Sequence, residues 1–182
     1  MIFHETRLKD AYLIALEPHG DERGFFARTM CKEEFDKHGI VSEFVQQNTS
    51  FSARKGTLRG LHYQRKPHAE AKLVRCVSGG ISDVIVDIRE NSPTYLMHQA
   101  FELSEENCCQ LYVPPGFAHS FITLCDNVEV NYLVSAAYAP QAEDGLRYDD
   151  NELAIRWPAP VTVISEKDMA WPLLSDRVAS LF

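Results

Sequence analysis

Apolar and polar side chains change sides at every step between Ser82 and Arg89, so that Ser82, Val84, Val86 and Ile88 fall on one face of a strand and Asp83, Ile85, Asp87 and Arg89 on the other. Val130, Tyr132 and Val134 repeat the pattern. Within Leu58-Arg59-Gly60-Leu61-His62-Tyr63-Gln64 the same period places Leu58, Gly60, His62 and Gln64 together. Gly79-Gly80, Ser92-Pro93, Pro114-Pro115-Gly116 and Ala139-Pro140 punctuate the runs with turn residues. Short strands joined by turns predict a mainly β sandwich or barrel. Helix is a minority: Cys31 to His38 carries the clearest pattern, with Thr29 as N-cap and Gly39 as stop, and Ser104-Glu105-Glu106-Asn107 suits a single turn. No repeat, low-complexity tract or linker divides the chain, which predicts one domain over residues 1–182. The acidic run Asp149-Asp150-Asn151-Glu152 reads as a solvated loop.

A chain of 182 residues is long enough to bury a sizeable core without disulfide or metal staples. Its 26 acidic and 18 basic side chains leave a formal charge of -8, which argues against nucleic acid or an anionic membrane as partner, since both need a basic footprint. A local cationic pocket for a small anion stays compatible with that balance. The longest apolar run, Ala11 to Leu16, is too short to span a bilayer, and Met1-Ile2-Phe3-His4-Glu5 lacks a signal-peptide core, so a soluble, cytoplasmic protein is expected. The five cysteines have no C-x-x-C spacing and are expected to be reduced, structural thiols.

The chemistry concentrates around His62. Arg59, His62 and Tyr63 are followed within a dozen residues by Lys72-Leu73-Val74-Arg75, which places a base, cations and a phenol on neighbouring strands. On the residues alone a half-buried strand histidine is as compatible with structure as with catalysis. Pro114-Pro115-Gly116-Phe117-Ala118-His119, taken with Gly56-x5-His62 and Gly79, resembles the two motifs of the cupin superfamily, which implies a double-sheet jelly-roll barrel with a few short helices. Metal-binding cupins take two histidines and a glutamate from the first motif and one histidine from the second, because a divalent ion needs several neutral or anionic donors. Here Gln64 stands in place of the second histidine, and Lys72, whose ammonium only donates, precedes the closing x6-Gly. No metal and no cofactor are therefore expected. His68 and Glu70 are alternative donors, but they lie in a proline-containing turn of poor register.

Longer motifs sharpen the resemblance. Asp21-Glu22-Arg23-Gly24-Phe25-Phe26, Gln46-x-Asn48, Arg59-Gly60-Leu61-His62-Tyr63-Gln64, Lys72-Leu73-Val74-Arg75-Cys76, Pro115-Gly116-Phe117-Ala118-His119 and Ser165-Glu166-Lys167-Asp168 occur in the order of the dTDP-4-dehydrorhamnose 3,5-epimerase family, which the chain resembles from about residue 20 to its C-terminal region. The resemblance implies a metal-free homodimer with an exchanged N-terminal strand, acting on a nucleotide diphosphate-linked 4-keto-6-deoxyhexose. A carbonyl at carbon 4 acidifies the hydrogens on carbons 3 and 5, so a base on one face and a proton donor on the other can invert either centre. By family position His62 is the base, Asp168 its orienting partner, Tyr132 the acid, and Lys72 the group that holds charge on the carbonyl oxygen. Periodicity alone would make Tyr132 a core aromatic and Asp168 a loop charge.

For binding, the resemblance implies Arg23 and Arg59 on the diphosphate, Phe26 and Tyr138 stacked on the base, and Gln46 and Asn48 as amide contacts. His119 either bonds the substrate oxygen or supports the fold. Arg59 and His62 have opposite strand parity, so a shared pocket requires a bulge, with Gly60 as its site. Many family members carry Phe-Glu where this chain has Ala27-Arg28, and Leu133 replaces a common lysine. A carboxylate accepts and an arginine only donates, so Arg28 raises cytosine as an alternative to thymine, and the departures around Leu133 raise inversion at carbon 3 or carbon 5 alone as an alternative to both. Two rivals stand beside the epimerase: a metal-dependent cupin, opposed by Gln64 and Lys72, and a sugar-nucleotide binding module without activity, opposed by the joint presence of His62, Tyr132 and Asp168.

Overall fold

The computed structural model of the protein describes residues 1–177 and 180–182. In chain order its strands are β1 (Ile2–Glu5), β2 (Tyr12–Ala15), β3 (His19–Asp21), β4 (Gly24–Phe26), β5 (Gln46–Ser52), β6 (Leu58–Gln64), β7 (Lys72–Ser78), β8 (Gly80–Asp87), β9 (His98–Ser104), β10 (Cys109–Val113), β11 (Phe117–Thr123), β12 (Val128–Val134) and β13 (Glu143–Gly145). Among the described residues helix is confined to α1 (Lys32–Lys37), α2 (Glu166–Met169) and two 3-10 turns. A six-stranded sheet in the order β1-β2-β10-β7-β12-β5 faces a five-stranded sheet in the order β13-β6-β11-β8-β9, and β3-β4 forms a separate hairpin. This is the double-sheet jelly roll that the sequence implies, with every named strand pair antiparallel.

The alternation in the sequence becomes the two faces of each sheet. Ile81 and Ile85 of β8, Val74 and Cys76 of β7, Phe117 and Phe121 of β11 and Val130 of β12 meet between the sheets in a buried cluster. Val86 and Ala118 point the other way, into a second cluster that Leu146, Leu153 and Leu181 of the C-terminal region close over the outer face of the five-stranded sheet. That cover explains why β8 is buried along nearly its whole length rather than on one face only. On the other side α1 lays Phe35 against Ile14, Leu73 and Tyr112.

Three local expectations are corrected. α1 is capped by Cys31 without a side-chain bond, not by Thr29, whose carbonyl instead accepts from Gln110 Nε2 at 2.7 Å. β8 stops at Asp87, where the carboxylate turns to collect Arg89, Ser92 and Thr94. Asp150 is not solvated: it is buried and accepts the backbone N–H groups of Glu152 and Leu174. The turn at Ser104–Asn107 is present, closed by Cys108 N–H on the Ser104 carbonyl.

Between β6 and β11 the register slips: His62 lies opposite His119, but Arg59 lies opposite Phe121. Three steps on β6 therefore match two on β11, the signature of a bulge in β6. Gly60 sits at this point with φ of +111°, and a Cβ built on it would lie 2.5 Å from the His119 carbonyl oxygen. Only a residue without a side chain fits. The Gly60–Leu61 peptide bond is cis.

Candidate active site

One end of the space between the sheets is lined by polar rather than apolar side chains. Register assembles it. On the six-stranded sheet, Tyr132 of β12 is paired with Val74 of β7 and Asn48 of β5, while Val134 is paired with Lys72 and Gln46. Directly paired residues share a face, so the inward direction of Val74 and Val130 carries Tyr132, Lys72, Asn48 and Gln46 inward as well. From the opposite sheet the bulge brings both Arg59 and His62 to the inner side, next to inward Phe121 and His119. The parity conflict between Arg59 and His62 is thereby resolved at the glycine. A cavity of about 440 Å³ results, bordered by Arg59, His62, Lys72, His119, Tyr132, Lys167 and Asp168. A smaller lobe of about 140 Å³ is lined by Gln46, Asn48, Tyr138 and Glu143 and shares His62, Lys72 and Tyr132 with it.

Asp168 arrives from far along the chain. Val163 forms a parallel bridge with Thr57, and its carbonyl accepts from Leu58 N–H at 2.8 Å, which lays this segment beside the start of β6. α2 follows at once, capped by Ser165, whose hydroxyl accepts from Asp168 N–H at 3.1 Å. The helix turn presents the carboxylate to β6: Oδ1 is 2.6 Å from His62 Nε2, and Oδ2 accepts from Gly60 N–H at 3.2 Å. Burial pushes the Asp168 carboxyl up, but the bonds from His62, Gly60 and Ser165 outweigh it and hold the group below its ordinary value. Asp168 is thus an anion, and an anionic carboxylate only accepts. The His62 proton therefore sits on Nε2, and Nδ1 carries the free lone pair. The indole of Trp171 meets the imidazole edge-on, with ring centroids 6.3 Å apart.

Around this pair stand the other polar groups. Lys72 is buried, with its Nζ 3.3 Å from Glu70 Oε1. His119 Nε2 is 2.9 Å from Oδ2 of fully buried Asp83, whose Oδ1 has no hydrogen-bond partner among the described residues. Burial raises the Tyr132 phenol above its ordinary value; the charge of Glu70 adds to the shift and that of Arg59 opposes it. Arg59 spends Nε on Ser52 and one terminal nitrogen on the Phe51 carbonyl, which among the described residues leaves its other terminal nitrogen uncommitted. Tyr138 is 58% exposed, with its hydroxyl on Glu143 at 2.7 Å and its N–H on Gln46 Oε1 at 2.9 Å.

Nine of the sequence-predicted residues are brought together in this way: His62, Lys72, Tyr132, Asp168, Arg59, His119, Gln46, Asn48 and Tyr138. The other three are not. Arg23, on the β3-β4 hairpin, is 84% exposed in its side chain and pairs with Asp21. Phe26 is 70% exposed, and with Arg28 it borders a different concavity together with Met1, Glu17, His19 and Glu34. Arg28 stands 3.8 Å from Glu34. Conversely, the residue-level reading assigned no site role to Asp83, Glu143, Lys167 or Trp171. Asp83 carried a legible signal, since it lies on the same strand face as Ile85, and a carboxylate on an inward face needs a partner. Among the described residues, no group of three or more His, Cys, Asp or Glu side chains could hold a metal ion, and the Glu70 carboxylate is engaged by Gln64 and Lys72. No helix among them is long and apolar enough to cross a membrane.

A family model described as dTDP-4-dehydrorhamnose 3,5-epimerase matches residues 5–176. The dTDP-4-dehydrorhamnose 3,5-epimerase of Sinorhizobium fredii is 43% identical over 181 residues, covering 99% of this chain and 93% of that protein. The crystal structure of the Bacillus anthracis epimerase with TDP and PPi bound superposes with a TM-score of 0.92 at 43% identity, over 95% of this chain and 99% of that one. The Legionella pneumophila enzyme in complex with dTDP-4-keto-L-rhamnose gives 0.90 at 39% identity, over 96% and 93% of the two chains. Motif order, jelly-roll architecture and near-complete coverage agree: the chain belongs to the dTDP-4-dehydrorhamnose 3,5-epimerase family.

Proposed function

We propose that this protein is a sugar-nucleotide epimerase that inverts carbon 3 and carbon 5 of dTDP-4-dehydro-6-deoxy-D-glucose, giving dTDP-4-dehydro-L-rhamnose for deoxysugar synthesis. The observation that carries the reading is an imidazole oriented by a buried carboxylate, in one cavity with a lysine and a raised phenol. His62 Nδ1 takes the proton from the carbon beside the carbonyl, the C–H electron pair becomes the C=C bond of the enolate, and the carbonyl π pair moves onto the oxygen at carbon 4. Asp168 stabilises the imidazolium that forms. The Lys72 ammonium, with His119 beside it, stabilises the oxyanion. Tyr132, a phenol that is protonated at neutral pH and that burial raises further, delivers its proton to the opposite face of the enolate. His62 then returns its proton to solvent and Tyr132 regains one.

Arg59 contacts the diphosphate with its uncommitted nitrogen, Gln46 and Asn48 bond the nucleoside, and the exposed ring of Tyr138 stacks on the base. Arg23, Phe26 and Arg28 lie outside their own chain's cavity, and a second copy of the chain supplies them in a homodimer. The β3-β4 hairpin supports this, since it projects with Phe25 and Phe26 mostly exposed.

NMR in deuterated water with thymidine- and cytidine-linked 4-keto-6-deoxyhexoses tests the reading. Deuterium should enter at carbons 3 and 5 of the thymidine-linked sugar. Exchange at one carbon would correct the regiochemistry, preference for the cytidine-linked sugar would assign Arg28 to the base, and no exchange with either would remove the enzymatic reading.

A further inference from the structure

Gln64 is 4% exposed, and its amide is engaged at both ends. The two N–H groups of Nε2 are shared among Glu70 Oε2 at 3.0 Å, the His68 carbonyl at 3.0 Å and the Ala137 carbonyl at 3.3 Å, while Oε1 accepts from Ala139 N–H at 2.6 Å. Two consequences follow from where these bonds go. Glu70 has its second oxygen, Oε1, 3.3 Å from Lys72 Nζ, so the carboxylate is shared between an amide and the ammonium rather than turned wholly onto the lysine. Ala137 and Ala139 flank Tyr138, whose own N–H is held by Gln46 Oε1, so three successive backbone groups under the exposed ring are fixed by side-chain amides.

We infer that Gln64 is a positioning residue, restraining Glu70 so that Lys72 stays available to substrate oxygen and holding the backbone on which Tyr138 is presented. The inference rests on the proposed roles of Lys72 and Tyr138. Its physical basis is the donor and acceptor inventory of an amide. Glu70 and two carbonyls need N–H groups, Ala139 N–H needs an acceptor, and a carboxylate at position 64 would offer none of the former. Released from Gln64, the Glu70 carboxylate is free to place both oxygens on Lys72, which strengthens the ion pair and withdraws the ammonium from the developing oxyanion. The coupling is specific: the effect on chemistry passes through Glu70, and the effect on nucleotide binding passes through the Tyr138 backbone.

A double-mutant cycle reads the two routes separately. Gln64→Met keeps the volume and removes both hydrogen-bonding functions; kcat should fall by about tenfold or more and the Kd for thymidine diphosphate should rise severalfold. Glu70→Gln removes the single-oxygen contact that places Lys72 without withdrawing it, so it should lower kcat less than Gln64→Met does and leave that Kd unchanged. With both substitutions, kcat should match Glu70→Gln alone while the Kd stays raised. An equal kcat loss from Gln64→Met in both backgrounds would overturn the inference, as would an unchanged kcat in Gln64→Met. If Gln64→Met does not fold, Gln64→Glu decides, since it keeps the acceptor for Ala139 N–H and loses the donors to Glu70: a lowered kcat that Glu70→Gln in the same chain brings back supports the inference, and a kcat that is unchanged or not brought back ends it. Absence of carbon–hydrogen exchange in the unsubstituted protein would instead overturn the proposed reaction, before any variant is made.

Discussion

Asp168 holds two partners with two oxygens, His62 on one and the Gly60 N–H on the other, so it fixes both the tautomer of the base and the backbone beneath it. Asp168→Asn preserves size but loses the charge that stabilises the imidazolium; kcat should fall by about 10²- to 10⁴-fold with thymidine diphosphate binding little changed, as steady-state kinetics and titration will show. Tyr132→Phe should still release hydrogen to solvent through His62 yet fail to reprotonate the opposite face, so deuterium exchange should exceed net epimerisation in the NMR assay. His62 and Lys72 were legible because each stands in a short motif on a strand, whereas Tyr132 was marked only by family position, since its periodicity reads as a core aromatic. Asp168 was not legible from the residues themselves: it lies 106 positions from His62, and its approach depends on a strand bridge that no local pattern encodes. Far from the cavity, Asp87 offers a cleaner reading of charge. Burial raises its carboxyl, but Arg89, Ser92 and Thr94 together hold it below the ordinary 3.8. A carboxyl lowered by folding contributes stability above its unfolded value and loses it as pH falls further. The urea midpoint should therefore drop as pH is taken below 3.8, and Asp87→Asn should reduce that dependence at the cost of lower stability near pH 7.

At the scale of elements, the four-residue helix α2 survives because Ser165 caps it and because its carboxylate is tied to β6. Ser165→Ala should cost about 1 kcal/mol in thermal or urea unfolding. It should also lower kcat, since the bond it removes is the one that sets the Asp168 backbone. β6 is the more demanding element. Strand periodicity placed Leu58, Gly60, His62 and Gln64 on one face and left Arg59 on the wrong side; the bulge corrects this, and its site was legible from the glycine while its geometry was not. Gly60→Ala would bring a Cβ within 2.5 Å of the His119 carbonyl oxygen at φ of +111°. Destabilisation of at least about 1–3 kcal/mol is expected, read as a lowered unfolding midpoint. The helix boundaries were less legible because α1 is held by packing of Phe35 rather than by a cap.

For the whole molecule, alternation and turns gave the class of fold, whereas the split of sequence neighbours between two sheets depends on pairings far apart in the chain. The same limit applied to the nucleotide site. Twelve residues were assigned to one pocket, yet Arg23, Phe26 and Arg28 stand apart from it within the chain. If a second copy supplies them, Arg23→Ala and His62→Ala variants should each be inactive alone. Mixed after dissociation, they should regain about a quarter of full activity, because half the dimers of a symmetric pair are mixed and each holds one intact site. No recovery would assign Arg23 to its own chain or to no site. The extra residue in β6 acts as a gauge of length. It puts the guanidinium and the imidazole on one strand at a spacing set by the backbone itself, so the distance between the phosphate leg and the reacting ring is built into the scaffold. A sugar joined to its nucleoside through one phosphate instead of two should bind yet present the wrong atom to His62, and turn over far more slowly than its affinity would suggest.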